Sequence, residues 1–199
     1  VIIASIIAMC FISACDTKKD ETNKIKIVTT TGMVTDLVKN IGGDKVSVQG
    51  LMGPGIDPHL YRASEGDVKK LSEADLIFYH GLQLEYKMEE IFNKMRRNKP
   101  TIAVTKDINP KSLHKEDGYE DYYDPHIWFD IQLWAKTIDR VTDTLIKHSP
   151  KNNVYFTNQS ERYKKELQDL HTWITTTLKP IQKNNRVLIT AHDAFGYLA

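Results

Sequence analysis

Three of the seven histidines in this chain sit where they could do chemistry together. His59 closes the run Gly53-Pro54-Gly55-Ile56-Asp57-Pro58-His59, His126 closes Asp124-Pro125-His126, and His192 stands between Ala191 and Asp193. Imidazole is the commonest side-chain metal ligand; it suits zinc, copper and iron, and manganese when carboxylates join it. The repeated Asp-Pro-His is the most specific local signal in the chain. Proline fixes φ ahead of each histidine and so limits where the ring can point. The preceding carboxylate can take the second ring N–H, the usual outer support of a metal-bound histidine, and Asp193 could do the same for His192. Any one of these histidines alone reads as an ordinary hydrogen-bonded residue, so the case rests on the set.

Other chemistry-bearing residues read more plainly. His80, ending a strand before Gly81, is expected to be structural, with metal ligation the minor alternative. His114, His148 and His171 are expected to face solvent. Trp128, Phe129 and Trp134 read as core, with a ligand cage the minor alternative, and Glu85 as an acid in the first turn of a helix. The chain has no His-Glu-x-x-His, Gly-x-Ser-x-Gly or Walker loop, which weakens readings as a zinc peptidase, serine hydrolase or nucleotide-binding protein. A secreted metal-dependent hydrolase with three histidines and an open position for water is the alternative from another class.

The elements that must position these residues follow a βα rhythm. Short β-branched runs at 25–30, 45–51, 74–79 and 101–104 alternate with helical periods at 35–41, after Ser64, and at 85–95. This predicts an α/β lobe with a largely parallel sheet over 25–150, and in such sheets loops beyond the strand ends can converge on one point. Residues 107–124 are acidic and tyrosine-rich without a period and read as a loop. It leads into a helix around Trp134, Ile138, Val141 and Leu145. After Ser149-Pro150, the stripe Tyr163, Leu167, Leu170, Ile174 and Leu178 predicts one helix from about Asn152 to Leu178, roughly 40 Å long, within a linking segment 151–181. Residues 187–190 read as a strand opening a second lobe at 186–199. With its neighbours in that lobe missing, such a strand is expected to hold His192 poorly.

The first fourteen residues carry no charge and form one apolar stretch, shorter than the roughly 20 residues that span a bilayer as a helix. They read as a signal peptide, 1–14. Ile12-Ser13-Ala14-Cys15 resembles the bacterial lipobox, which makes Cys15 the expected lipidation site and 15–24 a polar tether. Cys10 would leave with the signal peptide and Cys15 would be acylated, so no thiol would remain for a metal. With 41% apolar residues and a net charge of +1, neither disorder nor a polycation for nucleic acid is suggested.

Four motifs together resemble the metal-binding lipoproteins of the TroA, PsaA and ZnuA types, the solute-binding components of zinc and manganese ABC importers. They are Gly53 to Tyr61, Ala74 to Glu85, Asp124 to Asp130 and Ala191 to Tyr197. The resemblance implies a two-lobed α/β receptor whose lobes are joined by one long rigid helix, with the metal held between them and handed to a membrane permease. It implies no catalysis. Carried over residue by residue, the ligands are His59, His126 and His192 for Zn2+ or Mn2+. The family's fourth ligand, an aspartate near the C-terminus, is expected beyond Ala199. Manganese-specialised members tend to have glutamate where this chain has His192, and many zinc-specialised members have a histidine-rich loop where this chain is acidic, so both metals stay open.

Overall fold

The computed structural model describes residues 23–115 and 122–198. The expected signal peptide, most of the tether and Cys15 lie outside these residues. Among the described residues, no helix is long and apolar enough to cross a membrane.

Four strands, β1 (Ile25–Thr29), β2 (Val46–Gly50), β3 (Leu76–Tyr79) and β4 (Thr101–Ala103), form an all-parallel sheet in the order β2-β1-β3-β4. Both faces of this sheet are covered, and its central strands are mostly apolar, β3 as Leu-Ile-Phe-Tyr and β1 interrupted by the exposed Lys26. Alternate side chains divide between two layers. Ile25 and Ile27 of β1 and Leu76 and Phe78 of β3 join one core with α1 (Gly32–Gly42), α4 (Ile131–Ala135), α5 (Thr137–His148) and α6 (Asn153–Leu178). Val28 and Ile77 join the other, with α2 (Glu65–Glu73) and α3 (Glu89–Arg96).

Local chemistry sets the helix ends. Thr31 caps α1 by accepting from the Val34 amide, and Ser64 and Asp67 form a reciprocal capping box on α2. α1 closes at Gly43, whose φ of 52° suits glycine and whose absent Cβ leaves room for the Tyr155 hydroxyl of α6.

The long helix runs over Asn153–Leu178, as the periodicity predicts, but its two halves differ. Phe156, Ser160, Tyr163 and Leu167 are buried against the lobe; Tyr163 donates to Asp36 Oδ2 (3.0 Å) and Lys164 pairs with Asp139 (2.9 Å). Beyond Leu167 the expected stripe emerges into solvent, with Leu170, Trp173 and Leu178 exposed.

Three expectations are corrected. The single helix predicted around Trp134 to Leu145 is two, α4 and α5, divided at Lys136. The helix predicted from Glu85 begins at Glu89, after a 3-10 turn at Tyr86–Met88. Residues 187–190 form no strand; Val187, Leu188 and Ile189 are exposed, and no described strand lies alongside to pair with their backbone.

The asymmetry of α6 gives a direct stability test. Phe156→Ala should cost about 3–5 kcal/mol, the usual range for emptying a buried aromatic site. Trp173→Ala should stay within about 0.5 kcal/mol of the parent, as expected for an exposed position. Urea unfolding of the two variants beside the parent measures both.

Candidate metal centre

His59, His126 and His192 come together. His126 Nε2 lies 3.3 Å from His59 Nε2 and 3.2 Å from His192 Nε2. The three rings stand 5.0–5.5 Å apart, centre to centre, and one ring nitrogen from each falls within 4.8 Å of the others.

Each histidine is held differently. His126 is almost fully buried and follows Asp124-Pro125 into a 3-10 turn, Ile127–Phe129, whose Ile127 is anchored in the core. Asp124 Oδ1 accepts from both the His126 backbone N–H (2.9 Å) and ring Nδ1 (2.6 Å). This bears out the carboxylate support expected for His126. Burial raises the Asp124 carboxyl, but the hydrogen bonds from the His126 ring and backbone outweigh it and leave it below the ordinary carboxylate value. With Nδ1 donating to the carboxylate, Nε2 of His126 is the ring nitrogen that faces the other two rings. The Asp57 carboxylate instead accepts the His59 backbone N–H (2.8 Å), fixing the loop that carries the ring. Two residues on, Tyr61 donates to Asp67 Oδ2 (2.8 Å) and ties this loop to the start of α2. His192 is exposed.

Three imidazole nitrogens facing one another at this distance repel unless a proton or a cation lies among them. For two imidazoles bound tetrahedrally to zinc at about 2.05 Å, the nitrogens would stand about 3.3 Å apart, close to both measured separations. The donor set is all nitrogen and suits a borderline divalent transition metal.

A second tier lies beneath. Trp128 meets the His126 ring edge-on (5.2 Å, 71°) and the His80 ring edge-on (5.3 Å, 88°), while His80 stacks over Trp134 (5.9 Å, 9°). Trp128 is therefore a wall of the histidine site as well as packing for the core. His80 is fully buried, and among the described residues neither ring nitrogen meets a geometric hydrogen-bond partner, although the Pro125 carbonyl lies near enough to favour the protonated ring. Burial, with His126 and His59 nearby, pulls His80 down to about 3.

Glu85 is not a first-turn helix acid. It is buried, accepting from the Thr30 hydroxyl (2.6 Å) and the backbone N–H groups of His80 (2.8 Å) and Gly81 (3.2 Å). These bonds hold a strained turn in which Gly81, Leu82 and Gln83 have φ of 94°, 48° and 62°. Burial raises the Glu85 carboxyl and the same three bonds oppose it. His114, expected to face solvent, is exposed but lies flat on the Tyr197 ring (4.2 Å, 6°). Trp128, whose minor reading from sequence is a ligand cage, packs in the core and also borders His126, whereas Tyr197 has no cue beyond its place in the Ala191 to Tyr197 motif.

Residues 27–199 match the family described as ZnuA, zinc-uptake complex component A, periplasmic. The chain belongs to that family. It is 44% identical over 173 residues to the zinc-binding protein TroA of Treponema pallidum (strain Nichols), covering 87% of this chain and 56% of TroA. With the manganese-binding lipoprotein MntA of Bacillus subtilis (strain 168) it shares 41% over 179 residues, 90% of this chain and 58% of MntA. The solved structure of the periplasmic zinc-binding TroA from Treponema pallidum superposes with a TM-score of 0.85 at 43% identity, covering 88% of this chain and 62% of that one. The chain thus spans a little over half the length of the curated ZnuA-family relatives it matches.

His80 makes the stability of this ZnuA-family lobe depend on pH. Its ordinary value of 6.5 falls to about 3 on folding, so between those values the unfolded chain binds the extra proton. That contribution is complete above about 6.5 and is lost as the pH falls toward 3. Without added metal, His80→Leu should flatten the decline in stability across this window, measured by urea unfolding at a series of pH values. At pH 7 it should not destabilise, because it removes two unpaired polar atoms.

Proposed function

We propose that this chain is the metal-capturing part of an extracytoplasmic solute-binding lipoprotein. It takes up a divalent transition-metal ion, zinc or manganese, through His59, His126 and His192 and delivers it to the permease of an ABC importer. The observation that carries the reading is the convergence of the three Nε2 atoms, with the tautomer of His126 set by Asp124. TroA and MntA are named for zinc and manganese binding respectively, which supports the same two cargoes here, and MntA is named a lipoprotein, which supports lipid attachment at Cys15. Nothing in these names favours the hydrolase reading.

In the same reading, 25–150 is the first lobe, α6 within 151–181 is the linking helix, and 186–199 begins a second lobe. The exposed distal half of α6 supports this, as does a groove of about 480 Å3 between that half and residues Phe129, Ile131 and Tyr197. A second lobe would cover this apolar surface and pair the backbone at 187–190.

Zinc and manganese titrations, in competition and read by mass spectrometry of the loaded protein, test the proposal. His59→Ala or His126→Ala should abolish tight binding, and Asp124→Asn should weaken it about 10- to 100-fold, as loss of an outer-shell partner does. His148→Ala and His171→Ala should leave it unchanged. Equal effects at all these positions would contradict the assignment.

A further inference from the structure

His192 presents a mechanical problem. The chain leaves the lobe along the exposed half of α6, and Val187, Leu188 and Ile189 are 74%, 61% and 90% exposed. An imidazole on such a segment would lose most of its effective concentration at the site through backbone freedom. Yet its Nε2 sits 3.2 Å from that of His126.

Order returns just after His192. Ala194 is buried, and Phe195 packs on Phe129 (4.4 Å between ring centres). Tyr197 is buried within the main core cluster and stacked on His114. Its hydroxyl accepts the His114 backbone N–H (3.0 Å) and donates to the Asp124 carbonyl (2.9 Å). Between them, Gly196 passes so near that a Cβ there would stand 3.1 Å from Asp124 Oδ2. Asp124 therefore serves two histidines: its carboxylate orients His126, and its carbonyl receives the hydroxyl that anchors the His192 segment.

We propose that Tyr197 is a positioning residue, a latch that fastens the His192 segment to the Asp-Pro-His loop. His192 is thereby registered against His126 by the same residue that orients His126. The latch rests on the metal-site reading, and it assigns work to Tyr197 and His114 that ligation alone does not.

A double-mutant cycle on the intact chain tests it, with zinc affinity measured against a chromophoric chelator. Tyr197→Phe keeps the ring and deletes the hydroxyl; it should weaken zinc about three- to tenfold, the range for one lost hydrogen-bonding group, mainly through faster dissociation. In a His192→Ala background the same change should have no effect, because the latch then holds nothing that binds. His192 ring signals in the NMR spectrum of the metal-free protein should shift toward unrestrained values in Tyr197→Phe while those of His59 stay put, a readout that needs no metal. A loss of equal size with and without His192 would make Tyr197 merely structural and overturn the proposal. So would unchanged zinc affinity in Tyr197→Phe while His59→Ala abolishes binding. If His59→Ala itself leaves binding intact, the three-histidine site fails and the latch falls with it.

Discussion

Asp124 Oδ1 accepts two hydrogen bonds from one residue, the backbone and the ring of His126, and the arrangement at the histidines depends on that pair. It decides which ring nitrogen carries the proton, and so which one offers its lone pair. It also fixes the ring on a loop whose next residue, Ile127, is sunk in the core, so the aim of Nε2 is set by packing as well as by charge. Without the carboxylate, the tautomer of His126 would be free to change and the other two rings would face no defined target.

The sheet supplies the platform. Because its strands are parallel, the segments that follow them emerge on one side, and loops far apart in sequence meet there. His59 follows β2, and the Glu85-held turn follows β3. His80, directly after β3 and just before the strained Gly81-Leu82-Gln83 turn, meets Trp128, which in turn borders His126. The buried, unpaired imidazole of His80 costs stability, and no role for it in metal capture is needed to explain the geometry above it.

Much of this was legible in the sequence, for a physical reason: the sheet and the helices around it are built from local patterns. Strands buried on both faces announce themselves as apolar runs, and Thr31, Ser64 and Asp67 carry their capping roles in their residue types. The three histidines were legible through their loops and, for His126, its carboxylate. What was not legible depends on contacts between distant parts of the chain. The run 187–190 has strand-like composition, but a strand exists only with a neighbour to pair with. Glu85 has helix-start spacing, yet the positive φ values at Leu82 and Gln83 move the helix on by four residues and turn the acid inward. Tyr197 reaches 73 residues back to Asp124 and 83 back to His114, a link that no periodicity encodes.

We propose that the three imidazoles, two of them positioned through Asp124 and the third on the loop held by Asp57, form one metal-binding point. X-ray absorption at the zinc edge of the loaded chain addresses it without reference to transport or affinity. Three nitrogen neighbours at about 2.0–2.1 Å, with the outer-shell scattering of imidazole rings, are the expected result. Each of His59→Ala, His126→Ala and His192→Ala should remove one ring from the loaded parent's signal or prevent loading. A shell of oxygen neighbours without imidazole scattering, or one unchanged by all three substitutions, would contradict the account.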